Sequence, residues 1–153
     1  KANSEWKSLI NGSAEGVLFG GNIDTLNFLC GTRYLMPPKD DTIFFIELNG
    51  MSLAAIDRAL EQLLQSGIFA TTRGIIVGKF HAYDFSSSGH IKETQENHFI
   101  EIDKMILEKF SCLNVPIVSR VDCGHTDPML TLPIGIKAKI INAEISILES
   151  AIV

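Results

Sequence analysis

The stretch Thr42–Glu47, TIFFIE, carries four consecutive apolar residues and then ends on a carboxylate. A strand with one solvated face would alternate, whereas a run that is apolar on both faces belongs in the middle of a sheet covered on both sides. Downstream, Ser52 suits a helix N-cap, Leu53, Ile56, Leu60, Leu63 and Leu64 draw one apolar stripe, and Gly67 stands where a helix-terminating glycine belongs. Gly74–Val77, GIIV, is a second buried strand and ends at Gly78. Upstream, Gly16–Phe19 reads as a strand and Gly20-Gly21-Asn22 as a tight turn. A helix then carries Ile23, Leu26 and Leu29 and stops at Gly31. Pro37-Pro38 and Asp40-Asp41 form the turn into TIFFIE.

Beyond Gly78, the polar segment 79–95, with Ser86-Ser87-Ser88-Gly89 at its centre, reads as a long loop. A helix from Asn97 to Phe110 follows, with Phe99, Ile102, Ile106 and Phe110 on its apolar side, and then a buried strand, Val115–Val118. Strand and helix thus alternate three times, which predicts an α/β domain with a parallel sheet and right-handed crossovers. Ile136–Ile141 and Glu144–Leu148 alternate as a β-hairpin, which a simple parallel sheet does not accommodate, so a second, antiparallel layer is expected. Residues 1–11 carry Trp6, Leu9 and Ile10 without a complete pattern. Residues 1–14 therefore read as a linker or the remnant of an upstream domain, and 15–153 as the domain itself.

At 153 residues, with 46% hydrophobic and 20% charged residues, the chain has the composition of one soluble globular domain. A net charge of −5 leaves no basic surplus for phosphates and argues against a nucleic-acid partner. No apolar run approaches the ~18 residues a membrane span requires. The chain opens on Lys1 rather than Met, so an upstream piece is expected. Cys30, Cys112 and Cys123 are odd in number and widely spaced, unlike a zinc site or a disulfide framework, and read as reduced thiols in the cytoplasm.

In a parallel sheet the carboxyl ends of the strands share one edge. Gly20-Gly21-Asn22, Glu47, the segment after Gly78 and His125 should gather there. His125 sits in the loop VDCGHTDPMLTLPIG, Val121–Gly135, where Pro128 and Pro133 forbid a helix. Alone, His125 is a histidine in a surface turn and Glu47 a strand end turning into solvent. Together they form a dyad in which the carboxylate orients the imidazole for proton transfer. The third member of a triad is missing: there is no G-x-S-x-G elbow, and Ser86–Ser88 lie in a loop. His81, Asp84, His90 and Glu93 could ligate a divalent ion, but no H-E-x-x-H helix fixes them, and a solvated loop is favoured. The Gly20-Gly21 turn lacks both phosphate-binding glycine signatures, so no cofactor and no metal is expected.

Five motifs in order, EGVLFGGNIDTLNFLCGTRYL, TIFFIEL, IDRALEQLLQSGIF, GIIVGKF and VDCGHTDPMLTLPIG, resemble the C-terminal domain of the LD-carboxypeptidase family of serine peptidases, nearest its microcin C immunity branch. The resemblance runs from about Glu15 to Ile140. It implies a swivelling β/β/α domain with a mainly parallel sheet, flanking helices and a smaller antiparallel layer. It also implies a Ser-Glu-His triad divided between domains, with Glu47 and His125 here and the serine in an N-terminal nucleophile domain outside this chain. Leu48-Asn49 departs from the family, which often has an acidic residue there.

The substrate class implied is an aminoacyl- or peptidyl-nucleotide antibiotic, with murein tetrapeptide as the alternative and a homodimer as the assembly. Trp6 either stacks on a base or covers the core. A non-catalytic ligand-binding or assembly domain that has kept the fold is the alternative of another class.

Overall fold

The computed structural model describes residues 5–36, 38–80 and 91–152, with side chains excepted at 91–95. In chain order the elements are β1 (Lys7–Ile10), β2 (Ser13–Asn22), α1 (Ile23–Leu29), β3 (Thr42–Glu47), α2 (Leu53–Gln65), β4 (Thr72–Gly78), α3 (Ile91–Phe110), β5 (Ile117–Val121), β6 (Lys137–Ile141) and β7 (Glu144–Ile147). The strands form one seven-stranded sheet in the order β1-β5-β4-β3-β2-β6-β7. Strands β2, β3, β4 and β5 run parallel, while β1, β6 and β7 extend the two edges antiparallel.

TIFFIE is buried at all six positions. Phe44 and Ile46 join the helix-side core with Ile23, Ile56, Leu60, Leu63, Ile106 and Phe110. Ile43 and Phe45 face the other way, into a cluster with Leu18, Ile76, Val118, Ala138 and Ile140. The last two come from β6. The hairpin expected as an antiparallel layer is therefore part of the same sheet, curled over the face opposite the helices, and β6 also touches β3. Leu48, next to Glu47, is 2% exposed and packs in the helix-side core, whereas Asn49 beside it is exposed.

The largest departures from the sequence reading lie at β2, α3 and β5. Strand β2 runs through Gly20 and Gly21, which are not a turn; Gly20, at φ +140°, lies against the Phe45 backbone of β3, leaving no room for a Cβ. Helix α3 begins at Ile91, inside the segment read as loop. Its amino-terminal part has few apolar residues to mark a period, although Lys, Glu and Gln favour a helix. Strand β5 starts at Ile117, because Pro116 offers no N–H to the ladder, and continues to Val121. In addition, Lys7–Ile10, which shows no complete pattern in sequence, pairs with β5 as an edge strand.

Helix α2 follows the expected plan. The Ser52 side chain accepts the Ala55 N–H at 3.4 Å, and Gly67 follows the C-cap with φ +77°. Among the described residues no helix is long and apolar enough to cross a membrane.

Gly20→Ala is expected to destabilise the 153-residue chain by about 2–4 kcal/mol, since it combines a strained φ with a backbone clash. Urea unfolding measures this. An unchanged midpoint would mean that β2 and β3 can part without cost.

Candidate active site

The parallel register brings the carboxyl ends of the central strands together. Asn22 pairs with Glu47, Ile46 with Val77, and Gly78 with Val121. Glu47 is the last residue of β3 and by strand alternation shares the face of Ile43 and Phe45, away from the helices. It is 9% exposed. A carboxylate this buried requires a donor, and the donor comes from 78 residues further along: Nδ1 of His125 lies 2.9 Å from Oε2 of Glu47.

The loop reaches Glu47 through two local features. Four residues of β5, from Val118 to Val121, span three of β4, from Ile76 to Gly78. Within this bulge Arg120 adopts φ +61°. The buried carboxylate of Asp103 on α3 holds this region: it accepts from Ser119 Oγ at 2.6 Å and from Arg120 Nη2 at 3.0 Å, and Lys7 Nζ of β1 completes the group at 3.2 Å. The second feature is Gly124, at φ +91°, where a Cβ would stand 2.8 Å from Glu47 Cβ. Only glycine lets the loop lie flat enough against Glu47 for the next residue to turn its ring onto the carboxylate.

The two members of the pair differ in access. The His125 side chain is 55% exposed and that of Glu47 only 11%. With Nδ1–H donating to the carboxylate, Nε2 is left as a proton acceptor facing outward. Among the described residues no hydroxyl or thiol hydrogen-bonds to Nε2. Cys123, two residues away, is 2% exposed. Its thiol is pushed up to about 12 by burial, reinforced by the carboxylates of Glu47 and Asp122, so it stays protonated and is no nucleophile. Met129, Leu130 and Ile134, just beyond the histidine, are exposed apolar residues.

Of the residues singled out in sequence at the strand edge, the structure brings Glu47 and His125 into contact and pairs Asn22 with Glu47; of the segment between Gly78 and α3 only Lys79 and Phe80 are described. His81, Asp84, His90 and Ser86–Ser88 lie outside the described residues, as does the Glu93 side chain. Sequence reasoning assigned nothing to Asp122 and Lys79. Yet Asp122 is 7% exposed and bonded to both Trp6 Nε1 and Lys79 Nζ. Trp6 packs against the cluster under the β6–β7 hairpin, as its core-covering reading had it. The available signal was a charged pair at the ends of two neighbouring strands, visible only once β4 and β5 are placed side by side.

The fold and site define an α/β domain that presents a buried carboxylate and an open imidazole at the carboxyl edge of a parallel sheet. Residues 15–140 match the LD-carboxypeptidase C-terminal domain, and the chain belongs to that family. It is 33% identical over 141 residues to the microcin C7 self-immunity protein MccF of Escherichia coli, covering 91% of this chain and 38% of that protein. An MccF-like protein from Bacillus anthracis str. Ames superposes with TM-score 0.76 and 35% identity, over 97% of this chain and 44% of that one. MccF in complex with glutamyl sulfamoyl guanosine superposes with TM-score 0.71 and 29% identity, over 96% and 42% respectively. The chain spans little more than a third of the length of the curated relatives it matches.

At about pH 8, iodoacetamide should label exposed Cys112 in the native chain and leave Cys123 unmodified, with both reacting in urea. Mass spectrometry reads the sites. Native labelling of Cys123 as fast as Cys112 would mean that the floor of the site opens.

Proposed function

We propose that this chain supplies the general base and its orienting carboxylate, His125 and Glu47, to a serine-dependent amide hydrolase whose serine lies outside these 153 residues. The observation that carries the reading is the 2.9 Å contact between His125 Nδ1 and Glu47 Oε2, which leaves Nε2 open, in a chain of the LD-carboxypeptidase family. As the serine hydroxyl attacks the scissile carbonyl, Nε2 takes its proton and the new O–C bond forms. Glu47 stabilises the imidazolium, which then gives that proton to the leaving nitrogen as the C–N bond breaks. A water molecule, deprotonated by the same Nε2, releases the acyl group and restores the serine. The 153-residue chain alone is inactive on this account, because a base and its orienter cannot replace an activated hydroxyl.

For the substrate we favour an aminoacyl- or peptidyl-nucleotide of the microcin C type. Support comes from the MccF relatives and from the aminoacyl-sulfamoyl-nucleoside bound to MccF. The net charge of −5 does not itself attract a phosphate-bearing ligand, so recognition falls to local donors or to the rest of the protein. A cytoplasmic homodimer accompanies this reading, supported by family resemblance.

In the full-length protein His125→Ala should lower kcat by about 10⁴-fold or more, and Glu47→Ala by about 10²–10⁴-fold. Both variants should keep the native circular dichroism. Near wild-type kcat in either folded variant would remove that residue from the site. Comparing kcat/KM for an aminoacyl-sulfamoyl nucleoside and a murein tetrapeptide tests the substrate. Release of a terminal D-amino acid from the tetrapeptide, with the nucleoside left intact, would overturn the substrate assignment and leave the Glu47–His125 roles standing.

A further inference from the structure

The ring of His125 is attached to the domain through Glu47, but the loop bearing it has its own foundation. The Leu130 N–H donates to the Asp122 carbonyl, so the loop both leaves and closes on Asp122. The Asp122 side chain is almost wholly buried and accepts from two directions: Trp6 Nε1 lies 3.0 Å from Oδ2, and Lys79 Nζ lies 2.5 Å from Oδ1. The backbone repeats the connection, with the Lys79 N–H donating to the Val121 carbonyl at 3.0 Å. We infer that Asp122 is a positioning residue of this site, its carboxylate gripped by Trp6 and Lys79 so that the loop holds His125 against Glu47.

Three features support this role over a purely packing one. First, Asp122 stands three residues before His125, with buried Cys123 between them, and the two carboxylates Glu47 and Asp122 are both close enough to act on that thiol. A shift of the Asp122 backbone is therefore passed on at Gly124, where a Cβ would already collide with Glu47. Second, the grip is charge-assisted on one side and neutral on the other. Burial pulls the Lys79 ammonium down, but Asp122 and Glu5 outweigh it and hold it raised, so the cation persists through the neutral range. Glu5 is largely exposed and adds little, whereas the Lys79–Asp122 pair is shielded from solvent. Third, Trp6 precedes β1 and lies outside residues 15–140 that match the family, so the segment entering the domain is tied directly to the histidine loop.

This inference rests on His125 being the general base, and the experiment separates the two claims. In the full-length protein Asp122→Asn, which turns one acceptor into a donor facing a donor, should lower kcat by about 10²-fold, the scale of a misplacement of about 1 Å, with KM nearly unchanged. Trp6→Phe keeps the packed ring and loses the N–H, and should lower kcat by about 10-fold, again with KM unchanged. Lys79→Arg should retain most of the activity that Lys79→Gln loses. In the 153-residue chain, long-range ¹H–¹⁵N spectra should show His125 mainly as the Nδ1–H tautomer, and this preference should weaken in Asp122→Asn and Trp6→Phe.

Wild-type kcat and an unchanged tautomer in both variants would overturn the positioning role. So would a loss of activity that vanishes after correction for the folded fraction. If Asp122→Asn does not fold, Trp6→Phe decides alone. Should His125→Ala itself be fully active, the general-base reading falls first. If His125→Ala is inactive while both clamp variants match wild type, only the clamp falls.

Discussion

The hydrogen bond between Glu47 and His125 imposes a demanding condition on the fold, because it joins a buried carboxylate to an exposed ring 78 positions away. Glu47 can be buried at the end of an apolar strand only if a donor reaches it, since an unpaired carboxylate there would cost several kcal/mol. The donor can reach it only if β3 and β5 end at the same edge with β4 between them. The parallel pairs β2–β3, β3–β4 and β4–β5 supply that edge. The helices that return the chain between strands cover one face, leaving the other to the pair and to the curled β6–β7 hairpin.

Three acidic residues are buried among the described residues, Glu47, Asp103 and Asp122, and each is met by donors from a different part of the chain. Asp103 gathers Ser119, Arg120 and Lys7, which ties α3 to β5 and β1. Asp122 gathers Trp6 and Lys79, and Glu47 gathers His125. Arrayed along β5 and the loop that follows it, these contacts form a sequence: Asp103 supports the bulge at Arg120, the bulge delivers Asp122, and Asp122 bases the loop that bears His125. Apolar burial drives the chain together, but it is non-directional and would not by itself choose the orientation of an imidazole. The buried acids supply direction, because each loses its stabilisation when its donors move by more than about an ångström.

Much of this was legible in the residues alone. TIFFIE announced a central strand because no polar residue interrupts it, and the α2 stripe between Ser52 and Gly67 announced its helix. Glu47 and His125 were legible as a pair from topology, since two strand ends in a parallel sheet must share an edge. What stayed hidden depended on partners distant in sequence. Gly20 and Gly21 looked like a turn, and only the Phe45 backbone across the ladder explains Gly20 as a strand residue. The amino-terminal part of α3 has little apolar periodicity to announce it. Lys7–Ile10 is a strand because β5 has an open edge beside it, and nothing in its four residues says so. Asp122 and Lys79 looked like ordinary loop polarity until neighbouring strand ends placed the charges in contact.

The central claim is that Glu47 acts through His125 and has no separate role. A double-mutant cycle on the full-length protein measures this directly, using kcat/KM for wild type, Glu47→Gln, His125→Ala and the pair. If the carboxylate serves only to orient and stabilise the imidazole, the second substitution should add nothing once His125 is gone. The double variant would then be no slower than His125→Ala. Additive losses, with Glu47→Gln slowing the His125→Ala enzyme by the same factor as it slows wild type, would contradict the account.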